Sequence, residues 1–216
     1  MSIRKVNFVD NAYYHIYNRG NNKQKIFQDR QDYEYFLKLI FLANGELKFK
    51  LSFWDYDFDK TEKGEEIVGI GAYCLMPNHF HFLITQVKEN GISKFMHKVS
   101  SSYSHYYNKK YDRVGFLFQN KFKSEYVDND IYLKYLFSYI HLNPVKLIQA
   151  DWKEKGIKSK IQVVNFLKDY EYSSFKDYLG FKRKENGIIN RKVFPDYFLT
   201  RKDFIEEIFD WLKIEL

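Results

Sequence analysis

The sequence predicts an α+β fold, and three observations carry that prediction. Segments alternating with the strand period of two are interleaved with segments whose apolar residues recur at helical spacing. They run in the order β-α-β-β-α-β, with a further helix behind them. A chain of 216 residues with 45% hydrophobic and 29% charged content can build one core, and it is not globally disordered.

The first strand is AYYHIYN at 12–18, closed by the turn signal Asn18-Arg19-Gly20. A helix follows over 29–43. Asp29 is its N-cap, and Tyr33, Phe36, Leu37, Ile40 and Phe41 share its apolar face. Asn44-Gly45 stops it. FKLSFW, beginning at Phe49, is a candidate strand. From Asp55 to Glu66 six acidic residues stand against two lysines, which reads as a solvated loop. IVGIGAYCL at 67–75 and HFHFLITQV at 79–87 form a hairpin around Met76-Pro77-Asn78. After Asn90-Gly91, the spacing of Ile92, Phe95, Met96, Val99, Tyr103 and Tyr106 predicts a helix over 92–110. VGFLFQNKFKSEYV at 114–127 reads as a second extended hairpin. Asp128 to Leu142 is a helix ended at Asn143-Pro144, because proline disfavours helical geometry in the residue before it. Further helices are expected near 161–169 and 201–213.

This order is that of a ferredoxin-like sandwich with an antiparallel sheet, a tyrosine-bearing helix and a C-terminal helical extension. No repeat or linker divides the chain. Residues 1–150 are expected to form the main domain and 151–216 an extension packed on it.

The formal net charge of +7 favours a polyanionic partner. The single cysteine, Cys74, excludes an intrachain disulfide and reads as a buried thiol. The N-terminus lacks the apolar core of a signal peptide, and no stretch approaches the ~20 apolar residues of a membrane span. No membrane partner and a cytoplasmic location are expected.

His79-Phe80-His81 is the sharpest local feature. Residues two apart on a strand share a face and lie roughly 6.5–7 Å apart along the chain. Two imidazoles so placed can converge on one divalent ion, while Phe80, Phe82 and Ile84 point to the opposite, core face. By spacing alone, two surface or hydrogen-bonded histidines are the plainer account. Tyr139 and Asn143 are helical neighbours at i and i+4, so a phenol and an amide oxygen can face one site. Here too a core-edge ring and a C-cap before Pro144 are the plainer account. A phenol of pKa near 10 needs activation at neutral pH, and a bound metal polarises a phosphate. Two imidazoles and an amide suit Mg²⁺ or Mn²⁺.

The motifs around these residues resemble one family, the REP-associated tyrosine transposases, a branch of the HUH-type single-strand transposases. The matching pieces are YHIYNRGNNKQKIF at 14–27, AYCLMPNHFHFLI at 72–84, LFQNKFKSEYV at 117–127 and YIHLNPVK at 139–146. YSSFKDYLG at 172–180 also resembles the family's tail. The pieces span about four-fifths of the chain in the family's order. The resemblance implies a metal-dependent nuclease that cleaves and rejoins single-stranded or hairpin DNA. It implies that His79 and His81 bind the metal and that Tyr139 is the nucleophile, leaving a 5′-phosphotyrosine and a free 3′-hydroxyl. Asn143 takes the place of a glutamine or asparagine ligand, and Arg19 lies in a motif near the nucleic acid. Related transposases work as homodimers, some with the tyrosine helix against the partner's histidines. The sequence leaves that arrangement open, and the 46–66 insert departs from a minimal version of the fold.

For the DNA path, residues 97–127 interleave Lys98, Lys109, Lys110, Arg113, Lys121 and Lys123 with Tyr103, Tyr106, Tyr107, Phe116, Phe118 and Phe122. Charges can track phosphates while rings stack on bases. A solvated helix with a packed aromatic stripe accounts for any single ring equally well. Tyr103 is the rival nucleophile, and its place in an apolar stripe favours core packing. The competing functions are a non-catalytic single-strand nucleic-acid-binding regulator on the same fold, and a hydrolase that activates water.

Overall fold

The computed structural model describes residues 8–49 and 62–210. FKLSFW and most of the acidic loop therefore lie outside the described residues. The elements are β1 (Tyr13–Arg19), α1 (Arg30–Ala43), β2 (Val68–Met76), β3 (His79–Gln86), α2 (Gly91–Lys110), β4 (Lys123–Val127) and α3 (Asp130–Leu142). Behind them come α4 (Trp152–Lys155), α5 (Lys160–Asp169), α6 (Phe175–Tyr178) and α7 (Arg201–Asp210), with short 3-10 turns between. The four strands form one antiparallel sheet in the order β2-β3-β1-β4, as the ferredoxin-like reading requires. Among the described residues no helix is long and apolar enough to cross a membrane.

Helix α1 starts where the sequence places it. Asp29 accepts from the Asp32 backbone at 3.1 Å, and the Asp32 carboxylate accepts from the Asp29 and Gln28 backbones. Tyr33, Phe36, Leu37, Ile40 and Phe41 are all buried. With Phe95, Val99 and Tyr103 of α2 they pack on one face of the sheet against Phe80, Phe82 and Ile84. Burying a phenylalanine is worth roughly 1.5–3 kcal/mol. A one-residue slip of β3 would send the histidines into this core and the phenylalanines out of it, so the register is strongly specified.

The second face carries α3 and the described part of the C-terminal region. Leu133, Leu136, Phe137 and Ile140 pack there with Ala72, Cys74, Leu83, Phe175 and Phe204. The extension also covers the free edge of β2. Leu75 donates its backbone N–H to Tyr172, Ser174 donates to Tyr73, and Cys74 bridges Ser173. That covering removes an exposed template for strand pairing. A buried ion pair anchors it: the Arg183 guanidinium grips Asp177 and donates further to Tyr73 and Ser173.

Two expectations are corrected. Residues 114–122 are not the first arm of a hairpin; only Gly20 and Phe118 form an isolated bridge there. Leu117 and Phe118 are both buried, and two adjacent residues on one side are incompatible with strand alternation. Gly115, at φ +100°, turns the chain between α2 and that buried pair. Nor does Pro144 throw Asn143 out of helical geometry. Asn143 keeps φ −55° and ψ −39°, and Pro144 opens a 3-10 turn over Asn143–Leu147. A proline fits a first turn because its missing N–H has no partner to lose there. Asn143 consequently stays in register with Tyr139.

Candidate catalytic site on the second sheet face

The turn before His79 is clamped from two sides. Gly20 donates to the Asn78 carbonyl at 2.9 Å, and Ile26 and Phe27 both donate to the Pro77 carbonyl. Gly20 is required by space, since a Cβ there would lie 2.2 Å from the Gln24 carbonyl oxygen. The NRG…KIF motif thus holds the MPN turn, and with it the first residues of β3.

Opposite residues on paired strands share a face. β1 and β3 pair Arg19 with His79 and Tyr17 with His81, while β1 and β4 pair His15 with Glu125. These side chains form one polar cluster under α3. The His79 and His81 rings stand perpendicular with centroids 5.0 Å apart. Tyr139 lies edge-on to His81, centroids 5.4 Å apart, and within 6.0 Å of His15. His79 Nε2 is 3.3 Å from Asn143 Oδ1. All four residues expected at the centre therefore meet within one chain.

Hydrogen bonds fix which atoms face the centre. Asn78 donates its amide N–H to the Lys23 carbonyl, which turns Oδ1 toward His79 Nδ1 at 2.6 Å. His79 Nδ1 therefore carries the proton and Nε2 presents a lone pair. Asn143 also hydrogen-bonds Tyr139, and that bond lowers the phenol's pKa, as a bond donated to the phenolate does. Its oxygen is then left facing His79. A bare imidazole nitrogen and an amide oxygen 3.3 Å apart are two acceptors opposed, which fits a divalent cation held between them. Among the described residues no three His, Cys, Asp or Glu are grouped as a metal set. What converges here is two imidazoles and an amide oxygen.

Burial shapes the protonation states. It pushes His79 down to about 4, helped by the positive Lys146, Lys153 and Arg19, while the Asn143 oxygen, which would accept from a protonated ring, opposes the shift. Burial also lowers His81 well below the usual histidine range, with His15 and His79 adding to the shift. Both rings are thus neutral at physiological pH, as metal ligands must be. Burial raises Tyr139 to about 12, with Tyr135 adding to it. The Lys153 ammonium lies 4.0 Å from the centre of the Tyr139 ring, and its own pKa is lowered by burial and Lys146.

The expected DNA contacts divide. Arg19, beside His79, hydrogen-bonds Gln119. Lys109, Lys121 and Lys123 are exposed. Lys98 donates to the Gly45 carbonyl, and Lys110 is paired with Asp29 and the fully buried Asp32. Arg113 lies over the Tyr107 ring. Of the six rings, Tyr103, Tyr106, Tyr107 and Phe118 are buried, and Phe122 is partly so. Phe116 is 88% exposed. Tyr103 is core, its hydroxyl bonded to the Ile26 carbonyl, and it lies on the other face of the sheet.

His15, Glu125 and Lys153 escaped the sequence reading. His15 shares strand alternation with Tyr13 and Tyr17, but its pairing to His81 needs the register. Lys153 comes from a four-residue helix with no periodic signal.

Comparisons with known proteins bear on the family and the fold. The profile of the family described as "Transposase IS200 like" matches residues 8–143. Among solved structures, the chain is similar to "Structure of the REP associates tyrosine transposase bound to a REP hairpin". The TM-score is 0.53 and the identity 14%, covering 86% of this chain and 90% of that one. At that identity the likeness shows the fold alone. A comparison with curated proteins found no significant match.

Proposed function

We propose, from the premise that this chain belongs to the IS200-like transposase family, that it cleaves and rejoins single-stranded or hairpin DNA through Tyr139. Membership implies DNA transposase or nuclease activity. The observation that carries the finer reading is the convergence of Tyr139, Asn143, His79 and His81 in one chain.

The Tyr139 hydroxyl oxygen attacks the scissile phosphorus. A phosphorus–oxygen bond to Tyr139 forms, the bond to the 3′-oxygen breaks, and the phenolic proton ends on the departing 3′-hydroxyl. The 5′-phosphotyrosine keeps the phosphodiester's energy, so attack by a 3′-hydroxyl reverses the step and rejoins DNA. His79, His81 and Asn143 would hold Mg²⁺ or Mn²⁺, which when bound would supply a Lewis acid to the phosphate. Asn143 also donates to Tyr139 and so eases loss of its proton. Lys153, against the ring, stabilises the negative charge that develops there.

The described structure supports a path for the strand. Arg19 and Lys123 sit on the sheet face of the site, and the exposed Lys121 lies two residues before Lys123. A groove of about 520 Å³ lies between α2 and residues 115–121, lined by Ser101, Ser104, Gln119, Asn120 and Lys121, with Phe116 exposed in it. Charges and one free ring suit a single strand or a hairpin flank. One chain supplies both halves of the site, so cleavage in cis needs no partner; a homodimer would pair two such sites for strand exchange.

The test is a labelled hairpin with a single-stranded flank, incubated with Mn²⁺ or Mg²⁺. Wild type forms a covalent protein–DNA adduct with a free 3′-hydroxyl, and Tyr139→Phe forms none. An adduct persisting in Tyr139→Phe rejects the nucleophile. Metal-indifferent binding with no cleavage identifies a regulator instead.

A further inference from the structure

We infer that His15, backed by Glu125, positions His81 by dictating which of its ring nitrogens is bare. The inference rests on the proposed metal role of His81 and adds two residues to that site.

The geometry is a chain of three groups. His15 Nε2 and His81 Nδ1 are 2.8 Å apart, both rings are buried, and the rings stack at 18° with centroids 5.0 Å apart. Two imidazole nitrogens at that distance share one proton: one donates and the other accepts. At the far side, His15 Nδ1 is 3.6 Å from Glu125 Oε2 and has no hydrogen-bond partner of its own. Glu125 is itself fixed. Tyr17 donates to its Oε1 at 2.6 Å, and Tyr132, from the helix that bears Tyr139, donates to its Oε2 at 3.2 Å.

An ionised carboxylate only accepts. A lone pair on His15 Nδ1 would face that negative oxygen, so the N–H stands there. In neutral His15 the lone pair is then on Nε2. His81 must donate to it from Nδ1, which leaves His81 Nε2 bare. Glu125 thus sets the tautomer of His15, and His15 sets the tautomer of His81. His79 reaches the same state by another route, through Asn78 and the Lys23 carbonyl. Each histidine has its own outer partner, and the two sets come from different parts of the chain. Such partners fix the orientation of metal-binding histidines and typically account for 10–100-fold in affinity. The structure gives the relay a second consequence. Tyr132 ties Glu125 to the tyrosine helix, so the same carboxylate braces both ligand and nucleophile elements.

The test uses the full chain and Mn²⁺ as probe. Metal affinity is measured by electron paramagnetic resonance titration, and the His81 tautomer by long-range ¹H–¹⁵N correlation spectra of the metal-free protein. Wild type is expected to show His81 protonated at Nδ1. His15→Phe keeps the ring stack and removes the acceptor; Mn²⁺ binding should weaken 10–100-fold and His81 should lose the Nδ1–H signature. His15→Gln restores an acceptor and should recover most of the affinity. Hairpin binding in chelator should be unchanged in both. Wild-type Mn²⁺ affinity in a folded His15→Phe overturns the inference. So does a wild-type His81 protonated at Nε2, a reading that holds even where His15→Phe fails to fold. Mn²⁺ binding insensitive to His81→Ala rejects the ligand assignment itself, and the inference with it. Binding lost in His81→Ala but intact in His15→Phe rejects the inference alone.

Discussion

Mild acid should destabilise this fold through His141, and by an amount the structure sets. His141 is fully buried on α3. Its Nδ1 donates to the Phe137 carbonyl at 2.8 Å, so its Nε2 is the acceptor and takes the Ser174 hydroxyl proton at 2.8 Å. Both nitrogens are satisfied in the neutral ring, and burial disfavours the charged one. Burial accordingly lowers the pKa from 6.5 to about 3, against a smaller pull upward from the Phe137 carbonyl. The folded value lies below the unfolded one, so the unfolded chain takes up the proton first. Stability is intact above the unfolded value, starts to fall as pH drops through about 6.5, and has lost its full share near about 3. Between pH 7.5 and pH 5.5, one such group costs about 1.4 kcal/mol. His79 and His81 are lowered as well and contribute in the same direction. His141→Gln isolates the one group, since the amide can still donate to Phe137 and accept from Ser174 but does not titrate. Urea unfolding of both proteins, in chelator, at the two pH values gives the double difference. The variant should lose about 1.4 kcal/mol less than wild type over that range. Equal losses would show that His141 is protonated in the folded chain or exposed to water, and the clamp between α3 and Ser174 would have to be abandoned.

Other outcomes follow from single contacts. Asp177→Ala leaves Arg183 buried without its counter-charge and should cost about 3–5 kcal/mol in urea unfolding; a loss below about 1 kcal/mol would mean the pair is solvated. Lys153→Met should slow adduct formation roughly tenfold, as expected for a partly desolvated cation–ring contact of about 1–2 kcal/mol; an unchanged single-turnover rate removes Lys153 from the chemistry. Because burial holds Tyr139 near about 12, the cleavage rate should climb by up to about tenfold per pH unit between pH 7 and pH 9 as the phenolate fraction grows; a flat profile would mean that the proton leaves only during attack. Lys121→Ala with Lys123→Ala should lower the salt slope of hairpin binding by about 2. Lys110→Ala should leave that slope alone and instead lower stability, because Lys110 neutralises buried Asp32.

Residues with a local reason for their place were legible in the sequence. Asp29 caps α1 by accepting from the backbone N–H three residues on, and period two in HFHFLI separates imidazoles from phenylalanines. Both are short-range rules, and both held. Where the sequence misled, longer contacts won. Leu117 and Phe118 look strand-like, but the α2 core takes both side chains at once. Lys110 looks like a phosphate contact, but a buried aspartate 78 residues earlier in the chain, on α1, claims it. His15 looked like any polar residue in a strand until the pairing of three strands put it between His81 and Glu125. Register and topology are the information that period alone does not hold.

The same contrast explains why the C-terminal region belongs with the site. A tyrosine helix lying on a sheet has to be held at a fixed height, because an error of about 1 Å at a nucleophile can cost about 100-fold in rate. The apolar face of α3 sets the approach, but apolar contacts alone permit sliding. His141 removes that freedom. It sits two residues from Tyr139 and two from Asn143, and its bond to Ser174 pins the helix to a segment that Tyr73 in turn binds through its own backbone N–H. Ser174 is thus joined at once to the tyrosine helix and to β2, the neighbour of the strand that bears His79 and His81. The YSS motif and the YIHLNP motif, about thirty residues apart in sequence, are two halves of one fastening. Lys153 reaches the Tyr139 ring from the same side. Under the proposed function, the region beyond residue 143 would hold Tyr139 against His79, His81 and Asn143, and the acid-lability of the His141 clamp is the measurable sign of that hold.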